Sequence, residues 1–271
     1  MTETYDLQVG KSALVVSCPH PGTGVPPEIL ARMTDEGRRL TDTDWHVDKL
    51  YDFLGELDAT FIRAKLSRYV VDLNRDPEGH ALYPGRFETA MCPATTFVGA
   101  AIYRSGQELR DSEIPDRRAR YWQPYHAKLR EVLAETKARH GYAVLLDAHS
   151  ILSRVPTLFE GRLPDLNLGT VDGKSCAGDL QAAAARVLGG RHEFSSIVNG
   201  RFKGGHITRH YGRPDRHVHA MQLEIAMCAY LDESNPAAFE PAHPQPLKKL
   251  LRTFLSSDVE NAARKYERAA N

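Results

Sequence analysis

Three short apolar runs, ALVVSC at 13–18, RYVVDL at 68–73 and YAVLLDA at 142–148, show no regular alternation of polar and apolar residues. A strand with one wet face alternates, so runs of this kind are buried on both sides, as in a sheet covered by helices. Similar strand candidates are ATFIRA at 59–64, SSIVNG at 195–200 and HAMQLEIA at 219–226. Helical spacing of apolar residues falls between them. It covers 42–56, where the acids of DTD offer an N-cap, then 113–140, about 175–188 and 245–268. Strands alternating with helices indicate one α/β domain over residues 1–271. Two long segments, 76–106 and 150–174, fit neither pattern. Their Pro, Gly, Tyr and Phe content predicts ordered loops that cover a site.

The balance of 35 basic and 35 acidic residues leaves no net field to draw the chain to nucleic acid or an anionic membrane. No apolar run approaches the ~20 residues of a membrane span. The start, MTETYDLQVGKSALVV, lacks the basic and apolar regions of a signal peptide. Cys18, Cys92, Cys176 and Cys228 form no CxxC pair and read as free thiols in a reducing cytoplasm.

Ligands of open α/β sheets bind beyond the carboxyl ends of the strands. His20 follows the first run, Asn74 and Arg75 follow RYVVDL, and His149 and Ser150 follow YAVLLDA; Glu224 interrupts the last strand. If these strands are parallel, the groups meet at one edge. A lone histidine after a strand is ordinarily a hydrogen-bonded loop residue. A carboxylate inside an apolar run is harder to dismiss, because burying it costs several kcal/mol unless it is paired or used. Asp147 can orient the His149 ring through a hydrogen bond. Two histidines and a carboxylate make the usual ligand set of a catalytic zinc. The segment TDTDWHVDK offers Asp42, Asp44, Asp48 and His46, although any single one also suits a helix cap. DAHS lacks the GxSxG elbow of a serine hydrolase, and neither GxGxxG after a strand nor GxxxxGK[ST] is present.

Seven segments in order resemble the N-formylglutamate amidohydrolase family. They are PHPGTGVP, DTDWHVDKLY, SRYVVDLNRDP, LLDAHS, FEGRLPDLNLGT, NGRFKGGHITRHYG and MQLEIA, and they run over about residues 10–260. The family is more distantly similar to zinc carboxypeptidases and aspartoacylases. The resemblance implies a mixed, mostly parallel sheet flanked by helices, as in the phosphorylase/hydrolase-like fold. It also implies hydrolysis of N-formyl-L-glutamate to formate and L-glutamate, the last step of a histidine degradation pathway. By the same likeness one zinc or other divalent ion would be held by His20 and His149, Glu224 would be the general base, and Arg68 would polarise the scissile carbonyl. Asn74 and Arg75 would hold a substrate carboxylate. The distant relatives place their carboxylate ligand three residues after the first histidine, where this chain has Thr23. Asp44 is therefore the expected third ligand, with His46 and Asp48 as alternatives. A substrate with two carboxylates needs a second cation, for which Arg201, Lys203 and Arg209 are candidates, with His210 or Tyr211 as extra donors. The rival readings are a related zinc deacylase acting on another N-acyl amino acid and a metal-free dicarboxylate-binding protein.

Overall fold

The computed structural model describes residues 3–270 apart from Tyr83, Arg86, Arg191 and His192, with the backbone alone described at 267–270. Seven strands form one sheet: β1 (Tyr5–Gln8), β2 (Leu14–Cys18), β3 (Thr60–Ala64), β4 (Ala143–Ile151), β5 (Leu166–Gly169), β6 (Ser196–Val198) and β7 (Val218–Ala226). Their order is β1-β3-β2-β4-β7-β5-β6. The β3-β2, β2-β4, β4-β7 and β5-β6 pairs are parallel, whereas β1-β3 and β7-β5 are antiparallel. The mixed, mostly parallel sheet expected from the sequence is thus the one found.

Side-chain alternation along buried strands assigns the two faces. Leu14, Val16 and Cys18 of β2, with Val144, Leu146 and Ala148 of β4, pack with the helices Gly178–Leu188 and Gln245–Ala270 and with the turns of Val47–Leu57. Val15 and Leu145 point the other way, onto Tyr125, Leu129 and Val132 of the helix Gln123–His140. That helix continues backward through a π turn at Arg118–Trp122, just ahead of Pro124, whose nitrogen has no hydrogen to donate. Among the described residues, no helix is long and apolar enough to cross a membrane. The four cysteines are unpaired.

The structure departs from expectation in three places. Residues 68–73 are not a strand but a buried irregular segment. Its backbone groups find partners outside any ladder: Arg117 donates to the Val70 carbonyl, His126 Nε2 contacts the Leu73 carbonyl at 2.8 Å, and Trp122 donates to that of Arg75. Asp72 N donates to the Met91 carbonyl. Satisfied backbone is what burial demands, and side chains of the long helix supply it as well as a neighbouring strand would. The second departure is the predicted helix at 42–56, which begins only at Val47, in 3₁₀ turns broken at Tyr51. Third, the 150–174 loop contains β5, and β4 runs on to Ile151.

Candidate active site

Because β2, β4 and β7 are parallel, their carboxyl ends lie together, and His20, His149 and Glu224 share that edge. His149 and Glu224 are register partners across β4 and β7. Asp147 and Gln222, two residues back on each strand, share their face. Asp44 arrives from the loop before Val47. Its backbone N–H donates to the His20 carbonyl, and its Oδ2 accepts from Ser150 N at 3.1 Å. Those ties explain why its carboxylate is turned inward rather than spent on capping.

His20 Nδ1 and His149 Nδ1 are 3.2 Å apart, and Asp44 Oδ2 lies 3.0 Å from the latter and 3.7 Å from the former. One ligand atom from each residue falls within 4.8 Å of the others, and all three residues are buried. The outer ring nitrogens face carboxylates: His20 Nε2 is 2.8 Å from Asp72 Oδ1, and His149 Nε2 is 3.0 Å from Asp147 Oδ1. Asp147 Oδ1 is otherwise without a hydrogen bond. Protons at both outer nitrogens satisfy these acceptors and leave lone pairs on both Nδ1 atoms. Asn74 Nδ2, 2.8 Å from His149 Nε2, then gives its hydrogen to Asp147 Oδ2 at 3.0 Å. Two imidazole nitrogens and a carboxylate oxygen gathered at one place could hold a cation between them. This donor set fits zinc with open coordination positions, and its outer carboxylates are the usual second layer of such a centre.

Burial alone would raise the Asp44 carboxyl, but the neighbouring His149 and His20 imidazoles hold it below the usual range. Burial opposes charge on His149, yet Asp147 and Asp44 outweigh it and raise its pKa well above the usual imidazole value. At Glu224 burial dominates: despite His149 and Arg68, its pKa is pushed up to about 8. Gln222 Nε2 donates to its Oε2 at 3.0 Å.

A cleft of about 610 Å³ opens onto this centre, walled by Arg68, Arg75, Arg201, Gln222 and Glu224 among others. The two long loops supply Leu82, Phe87, Glu88 and Phe97, and Leu158, to its walls. Arg68 is buried. Its Nη1 donates to the Asp42 carbonyl and Asp44 Oδ1, its Nη2 donates to Asp72 Oδ2, and its Nε has no hydrogen-bond partner among the described residues. Arg75 is positioned by Thr89, through its carbonyl and hydroxyl. Asn74 is committed to the scaffold: besides Asp147, its Oδ1 accepts from Ile207 N at 2.7 Å. Gly205 permits that approach, since a Cβ there would stand 2.4 Å from the Asn74 amide.

Several expected residues lie elsewhere. His46 contacts the Ala237 carbonyl and Asp48 pairs with Arg63, so neither turns to the centre. Lys203 pairs with Asp172, Arg209 donates to the Gly204 carbonyl, and His210 stacks on His206; none of the three is among the residues walling the cleft. Asp72, to which the sequence assigned no task, is fully buried and joins His20 to Arg68. Its signal was present in the sequence: a carboxylate inside an apolar run, four residues after an arginine.

A family model described as N-formylglutamate amidohydrolase matches residues 12–231, most of the chain. The chain belongs to the N-formylglutamate amidohydrolase family. Two relatives described as N-formylglutamate deformylase agree. The one from Pseudomonas aeruginosa is 47% identical over 257 residues, covering 95% of this chain and 96% of the relative. The one from Pseudomonas putida is 40% identical, covering 99% of this chain and all of the relative. Among solved structures, the N-formylglutamate amidohydrolase of Ralstonia eutropha superposes with a TM-score of 0.74 at 25% identity, over 99% of both chains. A gene product of Agrobacterium tumefaciens has the same fold, with a TM-score of 0.69 at 20% identity.

Proposed function

We propose that this chain hydrolyses N-formyl-L-glutamate to formate and L-glutamate, using one divalent metal ion, zinc by its donor set, as the closing step of a histidine degradation pathway. The observation that carries the reading is the convergence of His20, Asp44 and His149 beside Glu224, in a cleft also walled by three arginines. When bound by those three residues, zinc would supply Lewis acidity toward the formyl oxygen and ease deprotonation of a water molecule. Glu224 takes that water's proton. Burial, which raises its carboxyl above the usual range in the metal-free protein, strengthens it as a base, and it returns the proton to the departing amine. Arg68, with an unpartnered Nε and a place in the cleft wall, offers a donor to the carbonyl oxygen as charge develops there.

The substrate's two carboxylates call for two cations. Arg75 and Arg201 are the cleft-lining cations not already committed to the metal ligands, and planar guanidinium groups suit carboxylates. Asn74 contributes by fixing Asp147 and the start of His206–Tyr211 rather than through a free amide. Lys203, Arg209 and His210 act, on this reading, through the shape of the loop that carries Arg201. The deciding experiment is formate release from N-formyl-L-glutamate before and after chelation, with metal content measured in the same sample. Release that is lost on chelation and restored by stoichiometric zinc supports the proposal. Release unaffected by complete metal removal refutes the metal, and no release from the loaded protein refutes the activity.

A further inference from the structure

We propose that Phe97 sets the length of the acyl group removed: its ring closes the reaction cleft against a second, apolar chamber that would otherwise receive a chain longer than formyl. The inference deepens the deformylase reading and rests on it.

Two cavities meet at this residue. Beside the reaction cleft lies a second pocket, partly open to solvent, whose walls include the apolar Val98, Leu152, Val155 and Met227, with Glu36, Asp42 and Arg154 also lining it. Among the described residues, those lining both are Phe97, Ser150 and Ile151. Ser150 and Ile151 belong to β4, and the Ser150 hydroxyl is tied to Tyr230 at 2.7 Å. Phe97 instead stands on a tight turn, where Gly99 N donates to the Thr96 carbonyl and Gly99 takes φ +84°. Its backbone is anchored on both sides, its N–H donating to Asp42 Oδ2 and its carbonyl accepting from Thr157. Of the side chains at this partition, the Phe97 ring is thus the one carried by a turn rather than by the sheet.

That ring lies beside the reacting centre. Its centroid is 4.7 Å from the Arg68 guanidinium carbon, and Arg68 is 3.3 Å from Asp44. A carbonyl addressed by Arg68 thus has the Phe97 ring as a neighbour. The amino-acid half of the substrate is drawn toward Arg75 and Arg201, which leaves the acyl side facing the partition. A formyl carbon carries only hydrogen there, whereas each added carbon needs about 3.5–4 Å to its neighbours. Beyond the ring, apolar walls would favour each further methylene by about fourfold. The chemistry is unchanged for a longer chain: the amide C–N bond breaks, water gives its hydroxyl to the acyl carbon and its proton to the amine.

The test compares the zinc-loaded wild type with Phe97→Ala and Phe97→Leu on N-formyl-, N-acetyl-, N-butyryl- and N-hexanoyl-L-glutamate, measuring glutamate release. The wild type should lose at least ~100-fold in kcat/KM from formyl to butyryl. Phe97→Ala should raise the butyryl-to-formyl ratio at least ~30-fold, with Phe97→Leu between. Adding Leu152→Trp to Phe97→Ala, to refill the chamber, should reverse the gain. A ratio unchanged in both folded variants overturns the inference, as does a wild type that cleaves butyryl and formyl substrates equally. Should a variant lose all turnover, competitive inhibition by N-butyryl- against N-formyl-L-glutamate gives the same ratio and decides in the same way. Absence of formyl hydrolysis by the loaded wild type would instead refute the activity reading.

Discussion

Replacing Asp72 with asparagine tests how much the metal centre depends on a carboxylate that never touches it. Asp72 Oδ1 accepts from His20 Nε2 at 2.8 Å and from Asn74 N at 2.9 Å, while Oδ2 accepts from Arg68 Nη2 at 2.8 Å. Burial would raise its pKa, but Arg68, Arg75 and His20 hold it well below the carboxylate range, so it is charged throughout the physiological range. Asparagine keeps one acceptor for His20 but turns an amide toward Arg68 and removes the charge. Breaking one side of a buried pair costs about 3–5 kcal/mol. Arg68 retains Asp44, so the low end applies, and roughly 3 kcal/mol at ~2–4 °C per kcal/mol lowers Tm by about 6–12 °C. Loss of an outer carboxylate typically weakens metal binding about 10–100-fold. Thermal scans of metal-free protein and zinc competition against a chromogenic chelator read the two effects separately. A folded variant with zinc affinity within twofold of wild type, and Tm within 2 °C or so, would refute the reasoning.

Glu224→Gln should retain zinc but lower kcat by about 10²–10⁴-fold, measured by formate release; near-normal turnover removes Glu224 as the base. Its folded pKa of about 8 stands above the ordinary 4.5, so the folded metal-free protein holds a proton that the unfolded chain releases. That stability is complete below about pH 4.5 and is lost as pH rises through about 8, and denaturant titrations across this window should be flatter for Glu224→Gln. Asp258 is buried in the helix Gln245–Ala270 with both carboxylate oxygens unpartnered, and burial raises its pKa. Asp258→Asn should therefore stabilise the protein by about 1–3 kcal/mol near neutral pH and by less below pH 4 or so, a difference that thermal scans at two pH values would read. Arg75→Lys, which gives up the planar fork, should raise KM about 10–100-fold with kcat nearly kept, and an unchanged KM would remove Arg75 from substrate binding.

The parts of this site legible in the sequence are those fixed by local pattern. Val/Leu runs ending in His20 and His149 specify buried parallel strands, and parallel strands bring their ends together. Glu224 stood out because an apolar strand has no inexpensive place for a carboxylate. RYVVDL misled for an equally physical reason. Its composition suits a strand, but Arg117, Trp122 and His126, more than forty residues away, satisfy its carbonyls, and no local pattern encodes such partners. Asp44 resembled a helix cap because capping and ligation want the same short carboxylate; only the approach of Ser150 N decides between them. The cations of 201–210 could not be ranked, since which of them enters the cleft depends on how the loop closes around Gly205.

The pairing of His149 with Glu224 across two hydrogen-bonded strands gives the enzyme a built-in ruler. Neighbouring strands stand about 4.8 Å apart in every sheet, so the spacing between the proposed base and the proposed metal ligand is set by the backbone ladder rather than by loop motion. Sliding β7 by one residue would swing Glu224 to the opposite face. A chain refolded with that strand misregistered would be compact yet inert. Regain of turnover after denaturation is thus a direct measure of correct β4–β7 registration.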